Sequence, residues 1–413
     1  MSADALEAAR RIMADCDRIA AISAREDGIE RTYLTPEHAR HNTVAAELMT
    51  AAGMRTWQDA AGNQRGRLEG SREGLPALVL ASHLDTVPDA GRYDGILGVL
   101  LAVETVARLR ERAAELPFAL EVVAFADEEG TRFGVTLLGS RALAGTWEPE
   151  WFDLPDADCV TMAEAFASFG LDPARIDEAA LRREDLAGYL EVHIEQGPFL
   201  EAADRPLGVV TSIAGARRFA LTIHGEARHA GGTPYERRRD ALIGASRAVL
   251  DIERIAREHG AIATVGRLEA FPGGVNVVPG RVEMSLDLRA ETDRLRDEVL
   301  ERILERVRGA CAERRLTLDV EQIHAAPAVR CAPRLMDAVR AGIRATGDDE
   351  PMELFSRAGH DAMAMAAVTD IGMLFVRCAD GVSHHPDESV TVEDVAVALQ
   401  AFEAAVLHTA GAA

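Results

Sequence analysis

At 413 residues the chain is long enough for two domains, and 48% hydrophobic against 27% charged residues is the balance of a folded globular protein, which excludes a disordered or fibrous chain. A net charge of −23 argues against a nucleic-acid partner, and short basic patches such as Arg237-Arg238-Arg239 read as solvated helix ends rather than a surface to meet phosphates. The longest apolar run is about half of the roughly 20 residues a membrane span needs, and five scattered cysteines with no signal-peptide core at the N-terminus point to a reducing cytoplasm.

Residues 77–82 form a short apolar run that predicts a strand, so the imidazole of His83 would emerge at its tip, where open α/β sheets carry their sites. Eleven residues on, Asp94 precedes an apolar segment, 95–103, that reads as a buried helix. Its carboxylate would sit at the helix start, favoured by the free N–H groups there and able to bridge two metal ions. A second apolar strand, 122–126, runs into Asp127-Glu128-Glu129-Gly130. Neighbouring side chains on a strand point opposite ways, so Glu128 and Glu129 should divide the work, one binding metal and the other handling protons.

In 189–197 strict alternation puts Leu190, Val192 and Ile194 on one face, with His193 and its flanking glutamates on the other, where the imidazole can face a cleft. An apolar strand over 371–376 leads into Gly381-Val382-Ser383-His384-His385-Pro386, in which one histidine can ligate while its neighbour only packs. Histidines and carboxylates that recur after apolar strands are how a rigid sheet aims several ligands into one pocket. The pattern predicts a metal-dependent hydrolase.

The stretch between the fourth and fifth candidate ligands has its own periodicities. A strand at 219–223, a helix over 242–255, a strand over 261–268, a strand at 282–288, a helix over 295–307 and a last strand over 316–323 give the order β-α-β-β-α-β of a split ferredoxin-like unit. The ligands on both sides then belong to one discontinuous catalytic domain, 1–214 and 326–413, interrupted by a separately folded lid, 215–325. The expected fold is α/β, with a central mixed sheet flanked by helices and an inserted α+β domain. In the Gly-rich loop of the insert, His229 is an imidazole that could reach a reacting carbonyl.

Six ordered motifs carry a resemblance: His83-Leu84-Asp85-Thr86-Val87-Pro88, Asp127-Glu128-Glu129-Gly130-Thr131-Arg132-Phe133, His193-Ile194-Glu195-Gln196-Gly197-Pro198, His229-Ala230-Gly231-Gly232-Thr233-Pro234, Ala358-Gly359-His360-Asp361-Ala362 and Ser383-His384. Together they resemble the hydantoinase/carbamoylase amidases, a branch of the dinuclear-metal aminoacylase and carboxypeptidase group, over about 20–395. The resemblance implies that Asp94 bridges two divalent ions, that His83 and His193 complete one and Glu129 and His384 the other, and that Glu128 is the general base. Asp85 would fix the tautomer of a ligand imidazole, and His229 would stabilise the oxyanion. Asn276 and Arg289 resemble the pair that grips a substrate carboxylate, for which the forked guanidinium is suited. Arg217 and Gln196 are weaker candidates for the anionic end and the ureido group, and Gly359 and His360 would line the same pocket. Zinc heads the metals implied, with manganese or cobalt able to fit the same cage. The family also implies a homodimer formed through the insert.

Arg357 stands where many family members carry glycine and Gly232 where threonine is more frequent, which bears on the substrate rather than the mechanism. The segments 355–361 and 369–373 look closest to allantoate amidohydrolases, so allantoate is the expected substrate. N-carbamoyl-L-amino acid hydrolysis and β-ureidopropionase activity are the nearest alternatives. A dipeptidase or aminoacylase, or a catalytically dead binding homologue, is more distant.

Overall fold

Four nearly uninterrupted apolar segments pair in parallel because each needs cover on both faces. They run in the order Ala119–Phe125, Ala77–His83, Leu186–Ile194 and Ile371–Val376, at the centre of a nine-stranded sheet. Antiparallel neighbours, Gln64–Leu68 on one side and Leu207–Ile213 on the other, make the sheet mixed. The structure, a computed structural model, describes residues 3–411. The chain forms two units: Met1–Thr211, Arg330–Leu354 and Ala358–Ala413 make the first, and Ser212–Val329 with Phe355–Arg357 the second.

Alternation along the central strands decides what each face does. Leu78, Leu80, Leu120, Val122, Leu190, Val192, Leu374 and Val376 enter one core with the apolar sides of the helices Ala3–Ala20, Ile96–Leu109, Pro333–Ala345 and Val392–Gly411. Tyr189, Glu191 and His193 occupy the other face of their strand. The parallel register sets His83 opposite Phe125 and His193 opposite Phe375, so the strands end in phase and deliver their polar residues to one edge. Among the described residues no helix is long and apolar enough to cross a membrane.

Close approach of the Ile96–Leu109 helix to this edge depends on glycine. A Cβ on Gly98 would lie 2.0 Å from the carbonyl oxygen of Val192 and 2.8 Å from Ser82 Cβ. Backbone cannot yield as a flexible side chain does, so Gly98→Ala should cost about 1–3 kcal/mol. An unchanged thermal melting curve for that variant would contradict this packing.

The second unit has an antiparallel sheet in the order Leu268–Phe271, Arg281–Ala290, Gly215–His224, Thr317–Ala326. The helices Ala241–Glu258 and Asp293–Glu313 share its core with Leu221, Ile223, Leu286 and Leu288. This is the ferredoxin-like strand order, with one correction to the sequence reading. The single strand expected over 261–268 is two short strands, Ile262–Thr264 and Leu268–Phe271, both paired with Arg281–Ala290. Between them the N–H of Arg267 donates to the Ser285 hydroxyl at 3.0 Å instead of to a ladder carbonyl, which interrupts the pairing.

Candidate metal centre

Five side chains from distant parts of the chain converge at the carboxyl edge of the first unit. His83 and His193 bring their Nε2 atoms within 3.4 Å of each other, and His193 Nε2 lies 3.3 Å from Asp94 Oδ1. His384 Nε2 lies 3.0 Å from Asp94 Oδ2 and 3.3 Å from Glu129 Oε1. Two triads result, His83–Asp94–His193 and Asp94–Glu129–His384, each with its ligand atoms within 4.8 Å of one another and with Asp94 common to both. His83, Asp94 and His193 are 2–3% exposed, whereas His384 is open to solvent.

Local chemistry explains how these groups are held. Asp94 is not the helix cap expected from the sequence: that position is Gly95, with φ 74°, and the helix begins at Ile96. A Cβ on Gly95 would stand 2.5 Å from three ring atoms of His83, so only glycine lets the imidazole sit beside the helix start. Asp85 accepts the N–H groups of Glu128 and Glu129, one on each carboxylate oxygen, both at 3.0 Å, and its Oδ1 lies 3.4 Å from His83 Nδ1. Gln196 and His384 both adopt left-handed backbone, φ 53° and 55°. For non-glycine residues this stores about 1–3 kcal/mol, a cost that concentrates at functional sites.

The donor set calls for positive charge. Nδ1 of His83 donates to the Asp85 carbonyl at 3.2 Å and Nδ1 of His193 to the Ile194 carbonyl at 2.9 Å, so both Nε2 lone pairs point into the site. The carboxylates around the rings favour positive charge on them. Burial opposes it, yet Asp85 and the other carboxylates hold His83 well above its ordinary value, while burial drops its neighbour His193 to about 4. The hydrogen bond to Asp94 carries His384 to about 9. Burial would raise Asp94, but the histidines hold it well below the usual carboxylate range. Burial and the adjacent Asp94 push Glu129 to about 7. Imidazole nitrogens and carboxylate oxygens around a shared aspartate make a donor set that suits divalent metal ions.

Glu128 belongs to neither triad. Burial drives its carboxyl well above the usual range, and a Cβ on Gly359 would lie 3.8 Å from its Oε1. His360 is buried with its ring centroid 4.5 Å from that of His193. Gln196 directs Nε2 to both oxygens of Asp94, at 3.0 and 3.1 Å, and to Ser383 Oγ at 3.1 Å. His385 was expected to pack, but it is exposed and caps its own turn by accepting the N–H of Asp387.

The remaining candidates lie in the second unit. His229 is exposed; its Nδ1 accepts the N–H of Gly232 at 3.1 Å, which leaves the proton of the neutral ring on Nε2. Its strand pairs with Val277–Val278, and the N–H of Ala230 donates to the carbonyl of Asn276, so His229 and Asn276 stand on adjacent loops. The Arg289 fork is engaged by Asp287, at 2.8 and 3.3 Å, while NH1 donates to the Arg357 carbonyl at 3.0 Å. Arg217 pairs with Asp297 at 3.1 Å.

The sequence reading missed Glu191 and Glu388. Glu191 accepts from Tyr189 OH, Ala362 N–H and Ser82 Oγ, at 2.9, 3.1 and 3.4 Å, and ties the His193 strand to its neighbours. It also forms a buried group with His193 and His360. The alternation that exposed His193 could have singled out Glu191, two residues earlier on the same face. Glu388 carried no such signal, because an acidic residue after Pro386-Asp387 reads as solvated.

Residues 79–408 match the family model described as peptidase family M20/M25/M40. The chain belongs to this family. An N-carbamoyl-L-amino acid amidohydrolase of Geobacillus stearothermophilus is 42% identical to this M20 enzyme over 371 residues, covering 90% of each chain. A probable allantoate deiminase of Oryza sativa subsp. japonica is 39% identical, over 91% of the enzyme and 83% of the relative. The crystal structure of a hydantoinase/carbamoylase family amidase from Burkholderia multivorans superposes with a TM-score of 0.90 at 33% identity, covering 97% of the enzyme and 98% of that chain. The M20 enzyme is thus an amidase of the hydantoinase/carbamoylase type, a hydrolase acting on non-peptide C–N bonds.

Proposed function

We propose that the enzyme cleaves a ureido C–N bond in a small carboxylate-bearing substrate, and that this substrate is allantoate. The observation that carries the reading is one aspartate shared by two donor triads, with an additional carboxylate, Glu128, outside both. Asp94 would bridge two ions, zinc first, with His83 and His193 holding one and Glu129 and His384 the other. Bound there, divalent ions supply Lewis acidity, which acidifies water and offsets oxyanion charge.

Proton movement falls to the protein. Glu128 takes a proton from the attacking water and passes it to the leaving nitrogen, while Asp85 keeps the Glu128–Glu129 backbone and the His83 ring in place. From the inserted domain, 215–325, His229 would offer Nε2–H to the oxyanion. Arg289 and Asn276, with Arg217, would take the substrate carboxylate; Arg289 must then exchange Asp287 for substrate. Gln196 would serve the ureido group, and Gly359 and His360 would line the pocket. The proposal includes a homodimer formed through the insert, in the cytoplasm. A single-chain mass in solution by light scattering would contradict that part.

The second reading, N-carbamoyl-L-amino acid hydrolysis, is favoured by the 42% identical relative. Ammonia release from allantoate and from a panel of N-carbamoyl amino acids, including N-carbamoyl-β-alanine, separates the two. The proposal expects the highest kcat/KM for allantoate. Turnover of N-carbamoyl amino acids alone would replace the substrate, and turnover of neither would overturn the ureido class.

His384→Ala leaves the buried His83–Asp94–His193 triad intact. One of two metal equivalents should be lost and turnover should collapse. Elemental analysis that finds both equivalents retained would remove His384 from the set.

A further inference from the structure

Glu388 is a buried carboxylate that belongs to neither triad, yet it touches the loops of two proposed ligands at once. Its Oε1 accepts the backbone N–H groups of Tyr93 and Asp94, at 2.8 and 3.1 Å. Its Oε2 accepts the hydroxyl of Ser383 at 2.9 Å, immediately before His384, and that hydroxyl also lies 3.3 Å from Asp94 Oδ2. Only 3% of Glu388 is exposed. The neighbouring chain has made room for it, since a Cβ on Gly91 would fall 2.3 Å from its Cδ and Oε1. A carboxylate removed from water is retained only where fixed donors replace the lost hydration, and here the donors come from the two loops that flank Asp94 and His384.

We propose that Glu388 is a positioning residue: it locks the Asp94 loop to the His384 loop and so sets the spacing of the Asp94–Glu129–His384 triad. The assignment rests on the two-ion reading above. It predicts a selective defect, because His83 and His193 are fixed by other contacts, to the carbonyls of Asp85 and Ile194. Losing the lock weakens the ion held by Glu129 and His384 far more than the ion held by the two buried histidines.

Titration of the metal-stripped full chain with Zn²⁺, followed by calorimetry, reads this without any assay of turnover. In Glu388→Ala one of the two equivalents should bind about 10–100-fold less tightly, the range for loss of a group that orients a ligand, while the other changes little. Glu388→Gln keeps an oxygen for the two N–H groups and an amide for Ser383 Oγ, so it should restore most of the affinity. Gly91→Ala, which displaces the carboxylate without removing it, should reproduce the alanine defect. Two wild-type-like equivalents in Glu388→Ala would overturn the proposal, as would equal loss of both together with a lowered melting temperature. An unaltered chain that binds no Zn²⁺ would instead defeat the two-ion reading itself.

Discussion

Glu128→Gln should lower kcat by about 10²–10⁴-fold, the contribution of a positioned general base, with both metal equivalents still bound. The side chain lies outside both triads, so the substitution removes the proton acceptor and leaves the cage intact. Shape is nearly conserved, and the main-chain bonds from Glu128 and Glu129 to Asp85 do not involve the altered atoms. The measurement is kcat on the preferred substrate beside metal content of the same sample. Unchanged turnover would remove Glu128 from the proton path, and loss of metal with turnover would make it a ligand.

Asp94→Ala should be more damaging still, because both triads share that residue. Neither remaining pair, His83 with His193 or Glu129 with His384, keeps a bridging carboxylate. His193 and His384 would lose the carboxylate that lies 3.3 and 3.0 Å from their Nε2 atoms. Both equivalents should leave together, with affinity falling by more than the roughly 10–100-fold seen when only an orienting partner is removed. Activity should disappear even in added metal. Retention of one full-affinity equivalent would show that the ions are held independently.

Much of the framework was legible because parallel strands buried on both faces write continuous apolar runs, and the polar residue that ends each run marks the sheet's carboxyl edge. His83, the Glu128–Glu129 pair and His193 were readable for that reason. The β-α-β-β-α-β order of the second unit was readable because alternation and helical periodicity change sharply along it. The finer errors have physical causes. Gly95 displaced the helix cap from Asp94 because the His83 ring needs the space, which no local pattern announces. The break at Arg267 depends on a hydroxyl from another strand. Glu388 acts across 294 residues of sequence, on the N–H of Asp94. Such partners follow from tertiary packing, not from local spacing. Gln196 lies on Asp94 and the Arg289 fork lies on Asp287, contacts that pattern and resemblance alone do not specify.

The central claim is that Asp94 bridges two ions, with His83 and His193 on one side and Glu129 and His384 on the other. Anomalous scattering from crystals of the zinc-loaded enzyme tests it most directly. The account predicts two peaks flanking the Asp94 carboxylate, one at each triad. A single peak, or one placed among Glu191, His193 and His360 instead, would contradict it.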